Sequence, residues 1–185
     1  MTFTIVPERP DDAALIAPLL DRTFGFDRTR KTVYRLREGV APVAGLSFSA
    51  VAEDGGFLGS IRYWPIEIAG TPAILLGPLA VEPALQGQGI GKALVRHSLD
   101  AAAKAGHRVC VVVGDPNYYR PFGFISASAQ GLSLPGPVEP ERFQVTALQD
   151  GALEEVYGVI GRWQGEEMDA PVKSQRRRRV RRSVA

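Results

Sequence analysis

The stretch that decides the fold is LAVEPALQGQGIGKAL, residues 79–94, in which an apolar run gives way to three alternating glycines and then to helical periodicity. Gly87, Gly89 and Gly91 allow several backbone N–H groups to turn into one concavity, and the start of the helix adds partial positive charge there. Such a loop suits a phosphate or a pyrophosphate. We therefore predict that Gln86 to Gly91 form a backbone cradle for the phosphates of a cofactor.

Two common phosphate-binding motifs fit this loop poorly. A dinucleotide fingerprint beginning at Gly87 requires glycine or alanine at position 92, where the sequence has Lys92. A P-loop ending at Gly91-Lys92 requires a glycine at position 86 and a serine or threonine at position 93, where the sequence has Gln86 and Ala93. The glycine pattern therefore belongs to neither motif.

Upstream of the loop, the residue pattern predicts four strands, of which the last three form an antiparallel meander. These strands are Thr2–Val6, Leu46–Ala52, Phe57–Ile68 and Ala73–Val81. Between the first two, a helix is expected to begin at Pro10 and to be kinked or shortened by Pro18. A second, more polar helical stretch covers about Arg28 to Arg37.

Downstream of the loop, an apolar helical stripe is followed by a buried strand, Val109–Val113, which predicts a right-handed crossover between parallel strands. The stripe consists of Ile90, Leu94, His97, Ala101 and Ala105. Only a short helix fits within Asp115–Phe122, because Pro116 and Pro121 bracket it, and further strands are expected at Leu132–Leu134 and Phe143–Leu148. The predicted fold class is α/β (α+β): one domain with a mixed, mostly antiparallel central sheet flanked by helices.

Charge is distributed unevenly along the 185 residues. Seven of the 22 lysines and arginines fall in the last thirteen positions, which leaves 15 bases against 20 acids in the body. We expect one folded domain over residues 1–170 and a disordered, solvated basic tail over residues 171–185. Electrostatic attachment of nucleic acid is the alternative role for the tail, whereas the body is not a general polyanion binder.

The remaining composition predicts a cytoplasmic protein with no membrane partner. Cys110, the single cysteine, lies in an apolar run and is interpreted as a core residue in a reducing compartment. No apolar run reaches membrane-spanning length, and no secretory leader is apparent. His97 and His107 have no partners at metal-ligand spacing, so both are interpreted as structural and no metal is predicted.

Two motifs together resemble a known family. The stretch LAVEP followed by QGQGIGKAL, within residues 79–94, resembles motif A of the GNAT acyltransferases, whose Arg/Gln-x-x-Gly-x-Gly/Ala signature binds the pyrophosphate of coenzyme A. YRPFGF, residues 119–124, is similar to the family's later segment, in which a tyrosine stands four residues before a Gly-Phe pair. The predicted order of elements agrees over about residues 3–124, and residues 143–153 resemble the YhbS-type branch.

The resemblance implies direct transfer of an acetyl group from acetyl-CoA to a primary amine, with both substrates bound at once. The alternative is a non-catalytic acyl-CoA-binding or regulatory module. Tyr119 is the candidate acid or hydrogen-bond donor to the departing thiolate, although the adjacent Tyr118 is easily mistaken for it. The implied cofactor-binding residues are Leu79, Ala80 and Val81 through their backbone, together with Gln86, Gly87, Gln88, Gly89, Ile90, Gly91, Lys92 and Asn117.

The sequence identifies neither the general base nor the amine acceptor. Carboxylates on or near the central strands are Glu53, Glu67, Glu82 and Asp115. For Asp115 a cap of the following turn is preferred over a base. The acceptor is a small-molecule amine or a protein amino group, and a homodimer is possible.

Overall fold

Nine strands and four helices make up the part of the chain that the computed structural model describes, residues 2–165. The strands are β1 (Phe3–Pro7), β2 (Phe48–Ala52), β3 (Phe57–Ile68), β4 (Thr71–Val81), β5 (Val109–Val113), β6 (Ile125–Ser126), β7 (Leu132–Ser133), β8 (Phe143–Ala147) and β9 (Gly158–Arg162). The helices are α1 (Ala13–Phe24), α2 (Thr32–Arg35), α3 (Ile90–Lys104) and α4 (Pro116–Tyr119). The predicted basic tail lies outside the described residues.

The sheet confirms the predicted fold class. Its main path runs β1-β2-β3-β4-β5-β8-β6, and along that path every pair is antiparallel except β4 with β5. These two strands are parallel because α3 crosses over between them, as predicted. β9 adds to β3, and β7 pairs with β9. β6 and β9 are additions to the predicted set.

The helical region before the sheet differs from prediction in two ways. Pro18 lies inside α1, yet the helix continues to Phe24, so the proline does not shorten it. The predicted helix over Arg28–Arg37 is replaced by a 3₁₀ turn, Phe26–Arg30, and the single turn of α2. The extended backbone of Lys31 (φ −69°, ψ 145°) separates the two pieces.

The buried face of α3 is rotated relative to the predicted stripe. It consists of Ile90, Leu94, Val95, Ser98 and Ala102. His97 is instead exposed, with its ring edge-on to Phe48 at 4.8 Å between centroids. Ser98 tolerates its buried position because its hydroxyl donates to the Leu94 carbonyl at 2.7 Å and lies 2.8 Å from the Tyr63 hydroxyl. A polar side chain can be buried at little free-energy cost once its hydrogen bonds are made. The spacing of apolar residues does not include such a serine, so the predicted stripe differs from the buried face of α3.

The central strands carry the core on both faces of the sheet. One cluster joins α3 to β2–β5 and includes Cys110, which is fully buried and free, as predicted. The other cluster lies on the opposite face and includes Ile66, Val111 and Ile160. No helix within residues 2–165 is long and apolar enough to cross a membrane.

β4 has two irregularities close to the predicted cofactor-binding stretch. β4 pairs with β5 only at Ile74–Cys110 and Leu75–Val111, and beyond these pairs the two strands diverge. On its other edge, β4 shifts register against β3 between Leu76 and Leu79, so Gly77 and Pro78 form a bulge. The bulge comes directly before the stretch expected to offer backbone groups to the cofactor.

Candidate active site

The divergence of β4 and β5 opens the main cavity of the described structure, with a volume of about 1060 Å³. Its walls are Leu76–Leu79 on β4, Val112–Asp115 at the end of β5, both tyrosines of α4, and residues from the segments 24–37 and 134–142. Along this part of the cleft, β4 and β5 are not paired with each other. Unpaired backbone N–H and C=O groups therefore face the cleft, and an extended, amide-containing ligand can satisfy them as a strand would.

The glycine loop forms the start of α3. Gly87 and Gly89 have φ of +84° and +88°, and a Cβ on either would meet no atom within 4 Å. The first helical hydrogen bond runs from Ala93 N to Gly89 O, so the N–H groups of Gly89 through Lys92 precede it and lack helical acceptors. No side chain caps them. Open space, free donors and a helix N-terminus together fit a pyrophosphate.

Gln86 connects this loop to the end of β4. Its side-chain amide donates to the Val81 carbonyl at 3.3 Å, and residues 86–89 are exposed whereas Ile90 is buried beneath them. Lys92 is exposed on the first turn of α3 and adds positive charge to the loop. The predicted loop residues therefore lie together at the N-terminus of α3, where Gly91 contacts the cavity-lining Tyr118, although they are not themselves part of the cavity lining.

The two tyrosines of α4 take different positions. Tyr119 is buried with 7% of its surface exposed, and its ring packs edge-to-face on Phe124 and against Gly114. Tyr118 is half-buried, and its hydroxyl lies 2.5 Å from the position of a Cβ on Gly91. Tyr118 thus contacts the glycine loop, while Tyr119 lies deeper, and both line the cavity.

The Tyr119 hydroxyl is suited to donating a hydrogen bond. Burial raises the pKa of Tyr119 well above its ordinary value, with smaller contributions from Tyr118 and Cys110. Within residues 2–165 the hydroxyl has no hydrogen-bond partner. A neutral, unengaged phenol facing a cleft can donate to a ligand atom placed there.

The candidate bases are mostly engaged elsewhere. Among the four carboxylates considered, only Asp115 lines the cavity. Its Oδ1 accepts from Asn117 N at 2.8 Å, which makes it the N-cap of α4, as preferred from the sequence. Glu82 is paired with Arg22 at 2.6 Å. Asn117 itself is exposed and does not line the cavity.

Positive charge in the cavity wall escaped the sequence analysis. Five basic residues line it against two acidic ones, Asp115 and Glu139. The basic residues are Arg28, Arg30, Lys31, Arg37 and Arg142. The signal in the sequence is the density of bases over residues 28–37, a pattern that by itself predicts only a polar helical stretch. Within residues 2–165 no group of three or more His, Cys, Asp or Glu side chains is arranged to hold a metal ion.

A glycine loop at a helix N-terminus, a cleft between diverging parallel strands and a tyrosine at its wall are typical of one class of protein, the GNAT-fold acyltransferases. The family model described as the acetyltransferase (GNAT) domain matches residues 45–126. The chain is also 36% identical over 155 residues to the uncharacterized N-acetyltransferase YhbS of Escherichia coli (strain K12), covering 83% of this chain and 92% of that protein. The chain belongs to the GNAT acetyltransferase family, and the predicted resemblance is confirmed.

Two solved structures extend the comparison to the whole fold. The crystal structure of E. coli YhbS in complex with CoA has a TM-score of 0.75 and 34% identity, covering 87% of this chain and 89% of that one. The structure of a GNAT family acetyltransferase from Brucella melitensis in complex with acetyl-CoA has a TM-score of 0.64 and 32% identity, covering 88% and 97%. The fold of this chain is therefore that of proteins that bind this cofactor.

Proposed function

We propose that the protein transfers the acetyl group of acetyl-CoA to the primary amine of a small molecule. The observation that carries this proposal is the glycine loop at the N-terminus of α3, which contacts Tyr118 through Gly91, next to a cleft between β4 and β5 that has Tyr119 in its wall. The CoA and acetyl-CoA complexes of the two similar proteins support the choice of donor. The size of the cavity, about 1060 Å³, is at the scale of small-molecule sites.

The cofactor residues keep their predicted roles in this proposal. The N–H groups of the loop and of the first turn of α3 hold the pyrophosphate, and the backbone of Leu79, Ala80 and Val81 accompanies the pantetheine arm. The predicted contact of Asn117 with that arm stays a prediction, because its side chain is exposed and does not line the cavity. The loop residues are Gln86, Gly87, Gln88, Gly89, Ile90, Gly91 and Lys92.

Bound acetyl-CoA supplies a thioester, an activated acetyl group. The amine nitrogen forms a bond to the carbonyl carbon while the carbon–sulfur bond breaks, the amine loses a proton to water, and the thiolate takes one up. The chain contributes positioning through the cleft and hydrogen bonding from Tyr119 to the departing sulfur. A phenol is a weaker acid than a thiol, with ordinary pKa values of about 10 and about 8.5. Tyr119 therefore acts by stabilising the thiolate rather than by surrendering its proton completely.

The experiment is release of free thiol from acetyl-CoA, measured over a panel of amines with the full chain. Acceptor-dependent release with formation of the N-acetyl product is expected. Tight binding of acetyl-CoA with no release for any amine would favour the alternative, a non-catalytic acyl-CoA-binding module. Mass spectrometry of the acceptor separates true transfer from hydrolysis of the thioester.

A further inference from the structure

Arg37 is a cation held in the cavity wall without a counter-charge. Its Nε is shut off from solvent and has no hydrogen-bond partner. The guanidinium stacks on the Tyr34 ring at 4.6 Å and approaches the Trp64 ring at 5.8 Å. Arg37 lines the cavity, and its Nη2 lies beside Gly77 in the same wall.

The other charged residues of the wall do not compensate Arg37. Arg28 is paired with Asp21 at 2.8 Å, Arg30 with Asp27 at 3.6 Å, and Arg142 with Glu139 at 4.0 Å. No carboxylate within residues 2–165 forms an ion pair with Arg37. Guanidinium groups withdrawn from solvent are normally paired, and Arg37 is half-buried with its Nε shut off from solvent, so the missing partner is a feature of the site.

The surroundings of Arg37 disfavour its positive charge. Burial, with a further contribution from nearby Arg28, lowers the pKa of Arg37 to about 10, although contacts with Tyr34 oppose the shift. The Trp64 indole N–H, beside the same guanidinium, is also buried without an acceptor. An anion entering the cavity would supply both charge and acceptor oxygens.

The position of Arg37 excludes the cofactor's phosphates as that anion. Nη2 of Arg37 lies 3.3 Å from the position of a Cβ on Gly77, at the β4 bulge. The glycine loop at residues 86–91 does not line this cavity. In the proposed enzyme the bulge lies beside the reacting end of the cofactor, so an anion bound here belongs to the acceptor and lies close to its amine.

From the half-buried Arg37 guanidinium at the β4 bulge, which has no ion-pair partner within residues 2–165, we infer that the acceptor is a small amine carrying a carboxylate a few bonds from its nitrogen, as in a free amino acid. Arg37 binds the carboxylate through its planar fork of N–H donors. Arg28, held by Asp21 and 5.8 Å from the Tyr34 ring, adds positive charge behind it. This inference rests on the proposed function of the same site.

The test compares free amino acids with their carboxamides, which keep the amine and lose the negative charge. Both are titrated by calorimetry into the full chain saturated with desulfo-coenzyme A, a donor analogue that cannot react. We expect the acids to bind more tightly than the amides. Arg37→Gln is expected to weaken binding of the acids by about tenfold or more, since a hydrogen bond to a charged group is worth about 1.5–3 kcal/mol, and to leave the amides unchanged.

Arg30→Gln is the matched control, because Arg30 lines the same cavity but is largely exposed and paired with Asp27. It should change neither affinity. Arg37→Lys keeps the charge without the fork and should recover only part of the preference for acids. If Arg37→Gln fails to fold, the preference of the wild-type chain for acids over amides still decides the inference.

Three binding results would overturn the inference: equal binding of acids and amides, equal loss of both in Arg37→Gln, or preference for O-phosphoethanolamine over amino acids. Acetylation of neutral amines with no use of amino acids would overturn it while leaving the proposed function intact. If no amine supports thiol release, the proposed function fails, and the calorimetric comparison still shows separately whether Arg37 binds a carboxylate.

Discussion

The Tyr119 ring occupies the space beside the α-carbon of Gly114 that any side chain at position 114 would need. Gly114 ends β5 and is buried, and its N–H donates to the Arg142 carbonyl at 2.9 Å. The absence of a side chain at Gly114 therefore leaves the space that the Tyr119 ring fills. Its role is steric, because only hydrogen on the α-carbon leaves room for the ring.

Gly114→Ala is expected to displace the ring of Tyr119, destabilise the fold by about 1–3 kcal/mol as overpacking does, and lower kcat. The measurements are thermal unfolding and kcat with saturating acetyl-CoA. In a Tyr119→Phe background, the alanine should lower kcat little further, because the hydroxyl it misplaces is already absent. Independent, multiplicative effects on kcat would argue against this coupling.

Tyr119→Phe is expected to lower kcat by about a hundredfold, at the lower end of the range for removing one hydrogen-bond donor to a developing negative charge, with little change in the KM for acetyl-CoA. Tyr118→Phe is the matched control, since its ring neighbours Tyr119 at 5.0 Å and lines the same cavity. It should affect cofactor binding more than kcat, because its hydroxyl lies against Gly91. The reverse pattern would assign the catalytic role to Tyr118.

Gly89→Ala tests the phosphate cradle. The left-handed backbone at Gly89 (φ +88°) makes a side chain there cost about 1–3 kcal/mol, and the new methyl group would enter the cradle. Gly55→Ala imposes the same strain, with φ +87° and no atom within 4 Å, at a turn between β2 and β3. Both variants should lose similar stability, whereas only Gly89→Ala should weaken binding of coenzyme A, by about tenfold, or about 1.4 kcal/mol.

The pH profile of kcat should lack a descending limb up to about pH 10, the ordinary pKa of a phenol. Burial raises the pKa of Tyr119 above that value, so the hydroxyl stays protonated and able to donate over this range. The kcat/KM for the acceptor should rise with pH as the amine loses its proton. A descending limb below about pH 10 that vanishes in Tyr119→Phe would contradict this account.

Much of the donor side of the site could be predicted because its signals are local in the sequence. The glycines of residues 87–91 fix a loop and a helix start, and the apolar run Val109–Val113 fixes the next strand, whose observed bounds match the prediction. The short helix of α4 follows from its flanking prolines, and the cap at Asp115 from its position. Each of these depends on residues that are close neighbours along the chain.

The acceptor side could not be predicted in the same way. Arg37 looks like a surface residue in the sequence, and its burial depends on contacts with Trp64, on β3, and with the bulge at Gly77. His97 follows the apolar spacing of α3, but the hydrogen bonds of Ser98 to distant Tyr63 determine which face turns inward. These contacts join residues that are far apart in the chain, so they cannot be predicted from composition or periodicity.

The pairing of β4 with β5 ends at Leu75 and Val111, and this affects which substitutions the protein can accept during evolution. The cleft edges are peptide groups, which every residue type carries, so most substitutions along them leave the donor cleft intact. The wall that we propose to bind the acceptor is built from side chains of the segments 24–37 and 134–142, where single substitutions alter charge and shape. The same scaffold can thus exchange one acceptor for another through a few codon changes while its use of the donor is inherited unchanged.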